Sequence, residues 1–482
     1  LINFYIIIHF FRIILKFELK QTLLNRRFNL MRKLQILMTI WLYMIVPVNL
    51  LFSVSSPKII GYYPSWNKFT YPHTQIPFEH LTHLCHAFIF PREDGRLDFS
   101  GFTEDPELIR ACHDHQVKIS ISVGGWDPAR TPRFAVMASD SIARKAFVEN
   151  LTRFCLENGY NGADIDWEYP PPDKEKYTTL LFQELYDSFA SQNPPLLLSI
   201  AAPSTDANNR YNWPVMNQIL DWVGVMTYDY YGSWTNKAGP NAPLYGSIST
   251  TDQGWIDRSV KHYLNDKGVP PEKLCIGIPF YGWEFQASSL FGTSTGGTQR
   301  RYYEIEPLLK EGWIRHWDEE TKTPWLRHPN QTHIISFDDQ ESITEKCSYI
   351  LNHGLAGTII WAIGQDQIDG KTPLLTVVGT ELESFIQTIQ TPGIPMTTEL
   401  YPNYPNPFNA ETRIRFSVQK HTVVKILIYN IQGDLVKTLV DDVFSPGIYR
   451  VTFQGTGHPS GIYFCRMETD YAMYTLKMLF MK

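Results

Sequence analysis

Between Lys58 and Trp361 the chain repeats one pattern eight times: a short apolar run, then an amphipathic stretch. The runs are Lys58–Tyr63, Leu81–Phe90, Val117–Val123, Gly162–Glu168, Leu196–Ala202, Val223–Tyr228, Leu274–Phe280 and Gly357–Trp361. Most are too continuously apolar for a strand with one wet face. Such runs fit parallel strands buried on both faces, with helices such as Ser141–Asn158 and Lys174–Gln192 as crossovers. A doubly wound open sheet and a closed barrel both satisfy this. Eight units, with polar residues gathered at the C-terminal ends of many strands, favour an α/β fold of the (β/α)8, or TIM, barrel type.

Two segments break the rhythm. Residues 282–336 are aromatic and rich in turns, which predicts a small α+β insertion after strand seven. Its Gly292–Thr298 stretch lacks the Gly-Lys-Ser/Thr ending of a phosphate loop and reads as a surface loop. Around 389–399 the chain becomes rich in Thr and Pro, a linker composition. Beyond it, Thr412–Val418, Val423–Tyr429, Leu435–Leu439, Gly447–Phe453, Gly461–Glu468 and Met473–Met481 alternate as strands between turn residues. They predict a small all-β sandwich over 400–482. The barrel is expected over 57–388.

At the other end, Met31-Arg32-Lys33 and the apolar run Leu34–Phe52 match a secretory signal over 31–56, with small residues at Ser53–Ser55 for cleavage. The run is also long enough for an uncleaved anchor. Residues 1–30 precede a natural start Met and are expected to be a non-native upstream extension.

A net charge of −6, without a basic run past the first thirty residues, argues against a nucleic-acid partner. The six cysteines are scattered and form no CxxC pair, so neither a disulfide framework nor a zinc site is expected. Cys112-His113-Asp114-His115 is too tightly spaced for one metal and reads as a solvated helix end. Aromatic residues make up 14% of the chain, which fits a sugar-stacking groove as well as an aromatic core.

The chemistry concentrates at residues 160–170, Tyr-Asn-Gly-Ala-Asp-Ile-Asp-Trp-Glu-Tyr-Pro. Asp164, Asp166 and Glu168 are two positions apart, so on a strand they share a face, opposite Ile165 and Trp167. Crowded carboxylates resist joint ionisation, and at least one should hold a proton near neutral pH. A calcium loop would need Gly and irregular backbone where Ile and Trp stand. Three further strand ends carry polar or aromatic groups: Ser122-Val-Gly124-Gly125-Trp126, Met226-Thr-Tyr228-Asp229-Tyr230-Tyr231 and Trp361. Glu168, last on its strand, is the candidate general acid. Asp166 rises from the same side, so it cannot attack from the opposite sugar face as an ordinary second carboxylate would. If the bond is glycosidic, a 2-acetamido carbonyl on the substrate can attack instead. Asp166 would then orient the amide N–H, and Tyr228 would bond the acetamido oxygen. Trp361 would floor the sugar, and Asp164 would hold Asp166 and tune the shared proton.

With these motifs the chain resembles glycoside hydrolase family 18, the chitinase family, over about Lys58 to Gln387. The resemblance implies a hydrolase that retains configuration by substrate assistance at β-1,4-linked N-acetylglucosamine, needing neither metal nor organic cofactor. It implies Glu168, Asp166, Asp164 and Tyr228 as catalytic. Tyr62, Phe88, Gly125, Trp126, Met226, Asp229, Tyr230 and Trp361 are the expected chitin or chito-oligosaccharide contacts. Three positions depart from the family pattern. Asn161 stands where Asp is usual, Ala163 replaces a larger apolar residue, and Trp283 occupies a place where related chitinases often carry Arg. Tyr404–Asn409, Ile428–Gly433, Ser460–Tyr463 and Lys477–Lys482 resemble the immunoglobulin-like sorting domain of type IX secretion cargo. That implies export to the cell surface or beyond, with the secretion machinery as partner. The whole is expected to be an endo-acting chitinase and a monomer. An endo-β-N-acetylglucosaminidase, a peptidoglycan hydrolase and a chitin-binding lectin are the competing readings. The acid at 168 weighs against the lectin.

Overall fold

The computed structural model describes residues 57–249, 253–389 and 398–481, apart from 402, 404, 405, 410, 445, 446, 456 and 457. The expected upstream extension, the signal or anchor at 31–56, and most of the linker lie outside the described residues. Among the described residues, no helix is long and apolar enough to cross a membrane.

Eight parallel strands form the barrel: Lys58–Pro64, His83–Pro91, Lys118–Gly124, Gly162–Asp166, Leu197–Ala202, Trp222–Val225, Leu274–Pro279 and Gly357–Trp361. Neighbours in sequence are neighbours in space. The first strand pairs with both the second and the eighth, which closes the sheet and removes its edges. The apolar runs are buried on both faces, as their composition requires. One face packs into the barrel interior, where Ile60, Cys85, Trp222, Cys275 and Ile359 meet. The other packs under helices such as Ser141–Asn158 and Glu175–Ala190, which bury Phe147, Leu151, Leu181 and Phe182. All six cysteines are buried free thiols.

Two strands end more than one residue short of expectation. The fourth strand stops at Asp166, two residues short of Glu168. Its last rung is the Gly125 amide donating to the Asp166 carbonyl at 2.8 Å, and the prolines at 170–172 can donate nothing further. The sixth strand stops at Val225 rather than Tyr228. There the Thr227 hydroxyl takes over from the ladder, donating to the Gly277 carbonyl at 2.9 Å and accepting its amide at 2.8 Å.

Immediately after strand seven comes the insertion. It is a five-stranded antiparallel sheet in the order Gly297–Arg301, Tyr281–Phe285, Ile334–Ser336, Thr323–Arg327, Ile314–Asp318, with a short helix at Tyr302–Ile305. The C-terminal part holds two antiparallel sheets. One contains Glu399–Leu400, Glu411–Val418 and Gly447–Gln454; the other contains Leu435–Phe444, Thr422–Asn430, Gly461–Thr469 and Met473–Phe480. Ile414 and Phe416 from the first meet Ile426, Ile428, Cys465 and Met478 from the second in one core. Glu399–Leu400 pairs inside the sandwich, so its first strand begins within the stretch expected to be linker.

Candidate active site

The C-terminal rim of the barrel opens into a cavity of about 830 Å³. Its depth is set by the fourth strand. Asp164 lies at the level of Ser122 on strand three and Ser199 on strand five, which are its register partners. Both hydroxyls donate to it, at 2.9 and 2.7 Å, and the Tyr62 hydroxyl adds a third bond at 2.8 Å. Asp164 is fully buried and lies beneath the cavity rather than in its wall. Burial raises its pKa, and the three hydroxyl bonds pull the other way. They hold Asp164 directly.

Asp166, one pleat higher, lines the cavity, and its buried Oδ1 has no hydrogen-bond partner. Desolvation first, then the charges of Glu168 and Asp164, push its pKa well up. Glu168 also lines the cavity although it lies past the strand end. Its pKa is pushed up to about 7, chiefly by burial and further by the Asp229 charge, while a Tyr169 hydrogen bond opposes the rise. The carboxyls at 166 and 168 therefore carry at least one proton at neutral pH. On the opposite side of the chain Trp167 is buried and stacks on Phe134 of the helix Pro132–Ser139, with centroids 5.1 Å apart. This stacking anchors the acid-bearing segment from behind.

The turn that frames Asp166 requires glycine. Gly124 has φ +123°, and a Cβ there would lie 2.0 Å from the Asp166 carbonyl oxygen. Gly125 lines the cavity beside the Phe88 ring. Tyr228 lines it from beyond strand six; burial and the charges of Asp166 and Glu168 push its pKa well up, so its hydroxyl keeps its proton as a donor. Gly277 leaves room for that ring. Trp361, at the end of strand eight, stacks on Phe88 at 5.6 Å and tilts against Tyr62 at 6.0 Å.

Of the expected contacts, Tyr62, Phe88, Gly125, Trp126, Met226, Asp229 and Trp361 line the cavity together. Tyr230 does not, which corrects its assignment. Its hydroxyl bonds Ser259 at 2.7 Å on the helix Ile256–Lys261, because the chain has left the strand at Val225 and takes a left-handed φ of +58° at Asp229. Several lining residues were not legible in sequence. Trp66, Tyr169 and Trp234 lie on turns and loops without a period, and Trp283 and Gln299 on insertion strands whose approach to the rim only the tertiary fold sets. Trp126, Trp66 and Trp234 are more than half exposed, an unusual state for Trp outside a binding surface.

Comparison with known proteins fits this geometry. Residues 58–366 match the profile of "Glycosyl hydrolases family 18". The chain belongs to that family. Within it, the chain is 31% identical over 374 residues to a probable endochitinase of Caenorhabditis elegans, covering 67% of this chain and 60% of that protein. It is 28% identical over 385 residues to chitinase 1 of Aphanocladium album, covering 72% and 88%. The chain thus spans less than two thirds of the nematode protein's length. The crystal structure of the Ostrinia furnacalis Group IV chitinase in complex with allosamidin superposes with a TM-score of 0.62 at 28% identity, covering 68% of this chain and 99% of that one. Residues 403–481 match a "Secretion system C-terminal sorting domain", which marks the family 18 chain for export.

The departures from the family 18 pattern have structural explanations. Asn161 precedes the fourth strand, and its Oδ1 accepts the Ile119 amide at 2.8 Å, at the end of the strand remote from Glu168. Ala163 is buried between its register partners Ile121 and Leu198. Trp283 donates its indole N–H to Asp229 Oδ1 at 2.8 Å and also lines the cavity, with Trp234 edge-on at 5.4 Å. A neutral donor thus serves Asp229 where Arg was the family expectation.

Proposed function

We propose that this chain is an exported, endo-acting chitinase that hydrolyses β-1,4-linked N-acetylglucosamine with retention, using the substrate's own acetamido oxygen as nucleophile. The observation that carries this is the pairing of Asp166 and Glu168 on one side of the cavity, both with raised pKa values. Glu168 protonates the glycosidic oxygen and later activates water. Asp166, whose Oδ1 has no partner in the protein, receives the acetamido N–H. Tyr228 donates to the acetamido oxygen, and Asp164 fixes the charge balance beneath. Trp361 and Phe88 form the apolar floor. Exposed Trp66, Trp126 and Trp234 stack along a longer chain, which supports internal cleavage.

The remaining carboxyls lining the cavity are already engaged, Asp229 accepting from Trp283 and Asp127 from Arg130, which favours the acetamido group as nucleophile. Export follows from a signal peptide over 31–56 and a sorting domain over 400–482, by the type IX route, and the enzyme works as a monomer. Product analysis on a defined chito-oligosaccharide tests the reading. Fresh β-anomer from internal cuts is expected, and substrates deacetylated at the sugar before the scissile bond should resist cleavage. Inverted product, or normal turnover of the deacetylated substrate, would overturn it. Release from glycoprotein or peptidoglycan but not chitin would transfer the same chemistry to those substrates.

A further inference from the structure

A second constellation lies outside the cavity, between the segment after the first strand and the helix after the second. His73 sits in the 3-10 turn His73–Gln75, and Asp105 and Glu107 open the helix Pro106–Asp114. One ligand atom from each of the three, an imidazole nitrogen and two carboxylate oxygens, lies within 4.8 Å of the others. Their burial is graded, from fully buried Asp105 through His73 to exposed Glu107.

Asp105 supplies the second, independent observation. It is 1% exposed. Its Oδ1 is occupied, accepting the Leu108 amide at 3.2 Å with the Lys68 ammonium at 3.7 Å. Its Oδ2 is buried without a hydrogen-bond partner. A buried, unpaired carboxylate oxygen is unfavourable unless something positive meets it. Helix capping explains Oδ1 and leaves Oδ2 unexplained. Two carboxylates against one ammonium also leave the cluster net negative.

We propose that His73, Asp105 and Glu107 bind one divalent transition-metal ion of the Zn²⁺ class, with water completing the shell. One nitrogen and two oxygen donors suit such an ion; Ca²⁺ and Mg²⁺ would want oxygen alone. The ion fastens a seam already begun by the Ser65 hydroxyl accepting the Thr103 amide at 3.2 Å and Lys68 Nζ donating to the Glu104 carbonyl at 2.7 Å. That seam holds the segment carrying Trp66, which lines the substrate cavity. The role is structural and independent of the hydrolytic chemistry. His73 is over thirty positions from its partners in sequence, so no ligand spacing was visible there.

The test uses the untagged full-length chain, stripped with EDTA and titrated calorimetrically with ZnCl₂. Binding of one ion at micromolar or lower concentration is expected, weakened at least about tenfold in both His73→Ala and Glu107→Gln. Zn²⁺ should raise the thermal midpoint of the wild type and of neither variant, while CaCl₂ and MgCl₂ raise none. Binding should also weaken on acidification, because a metal takes imidazole only in its neutral form. Both variants should cleave chito-oligosaccharides normally in EDTA. Absent binding, unchanged binding in either variant, or an equal response to Ca²⁺ would overturn the proposal.

Discussion

At the scale of single residues, proton placement governs this site. Glu168→Gln removes the proposed acid and keeps its shape, so chito-oligosaccharide binding should persist while turnover falls by about 10²–10⁴-fold or more. The pKa of about 7 for Glu168 places the alkaline limb of kcat/KM near that value. Because the Asp229 anion contributes to the upward shift, Asp229→Asn should move that limb to lower pH, as a pH–rate profile would show. The stability consequence has a definite sign. The folded pKa of Glu168 lies above the ordinary glutamate value of 4.5. Its contribution is therefore intact below pH 4.5 and is lost as pH rises towards 7. Glu168→Gln should accordingly be more stable than wild type at pH 8, by roughly 1–3 kcal/mol, with the gap closing on acidification. Denaturant titrations at both pH values check this. The acid run itself was legible in sequence, since period 2 assigns Asp164, Asp166 and Glu168 to one face. The three hydroxyls on Asp164 were not, because Tyr62, Ser122 and Ser199 meet only through barrel register.

At the scale of elements, the turn after strand three bears most directly on the acids. Gly124 has a left-handed φ and no space for a Cβ, since the obstructing atom is the Asp166 carbonyl oxygen. Gly124→Ala must displace that backbone, so it should destabilise the protein by about 3 kcal/mol or more and depress kcat together. Gly101→Ala is the contrast. Gly101 also has a positive φ, but nothing obstructs a Cβ there, so only the smaller conformational term applies. Thermal melts of the pair separate clash from strain. Tyr230, expected in the cavity, follows the early end of strand six. A strand that ends early, at Val225, makes a count of alternating positions unreliable beyond it.

At the scale of the whole molecule, the described residues of the barrel and of the sandwich fall in separate cores. Among the described residues, the large barrel cluster runs as far as Leu382, and the sandwich cluster draws on Leu400 and later residues. A chain ending at residue 389 should therefore fold and cleave chito-oligosaccharides with kcat within about twofold of the full-length protein, while losing export. Loss of soluble barrel on truncation would refute this independence. Secretion assays with the intact and shortened chains measure the other half.

What the sequence alone determined was everything carried by local periodicity and composition: eight doubly buried strands, the acid face, the glycines beside it, and an alternating C-terminal module. Those signals survive because each depends on residues a few positions apart. Only the tertiary structure decided which loops reach the cavity, that Trp283 serves Asp229, that Tyr230 turns outward, and that His73 meets Asp105 and Glu107. Each of these depends on closing the barrel, which brings distant residues into contact by strand register and loop path, and no local pattern in the chain encodes those distances.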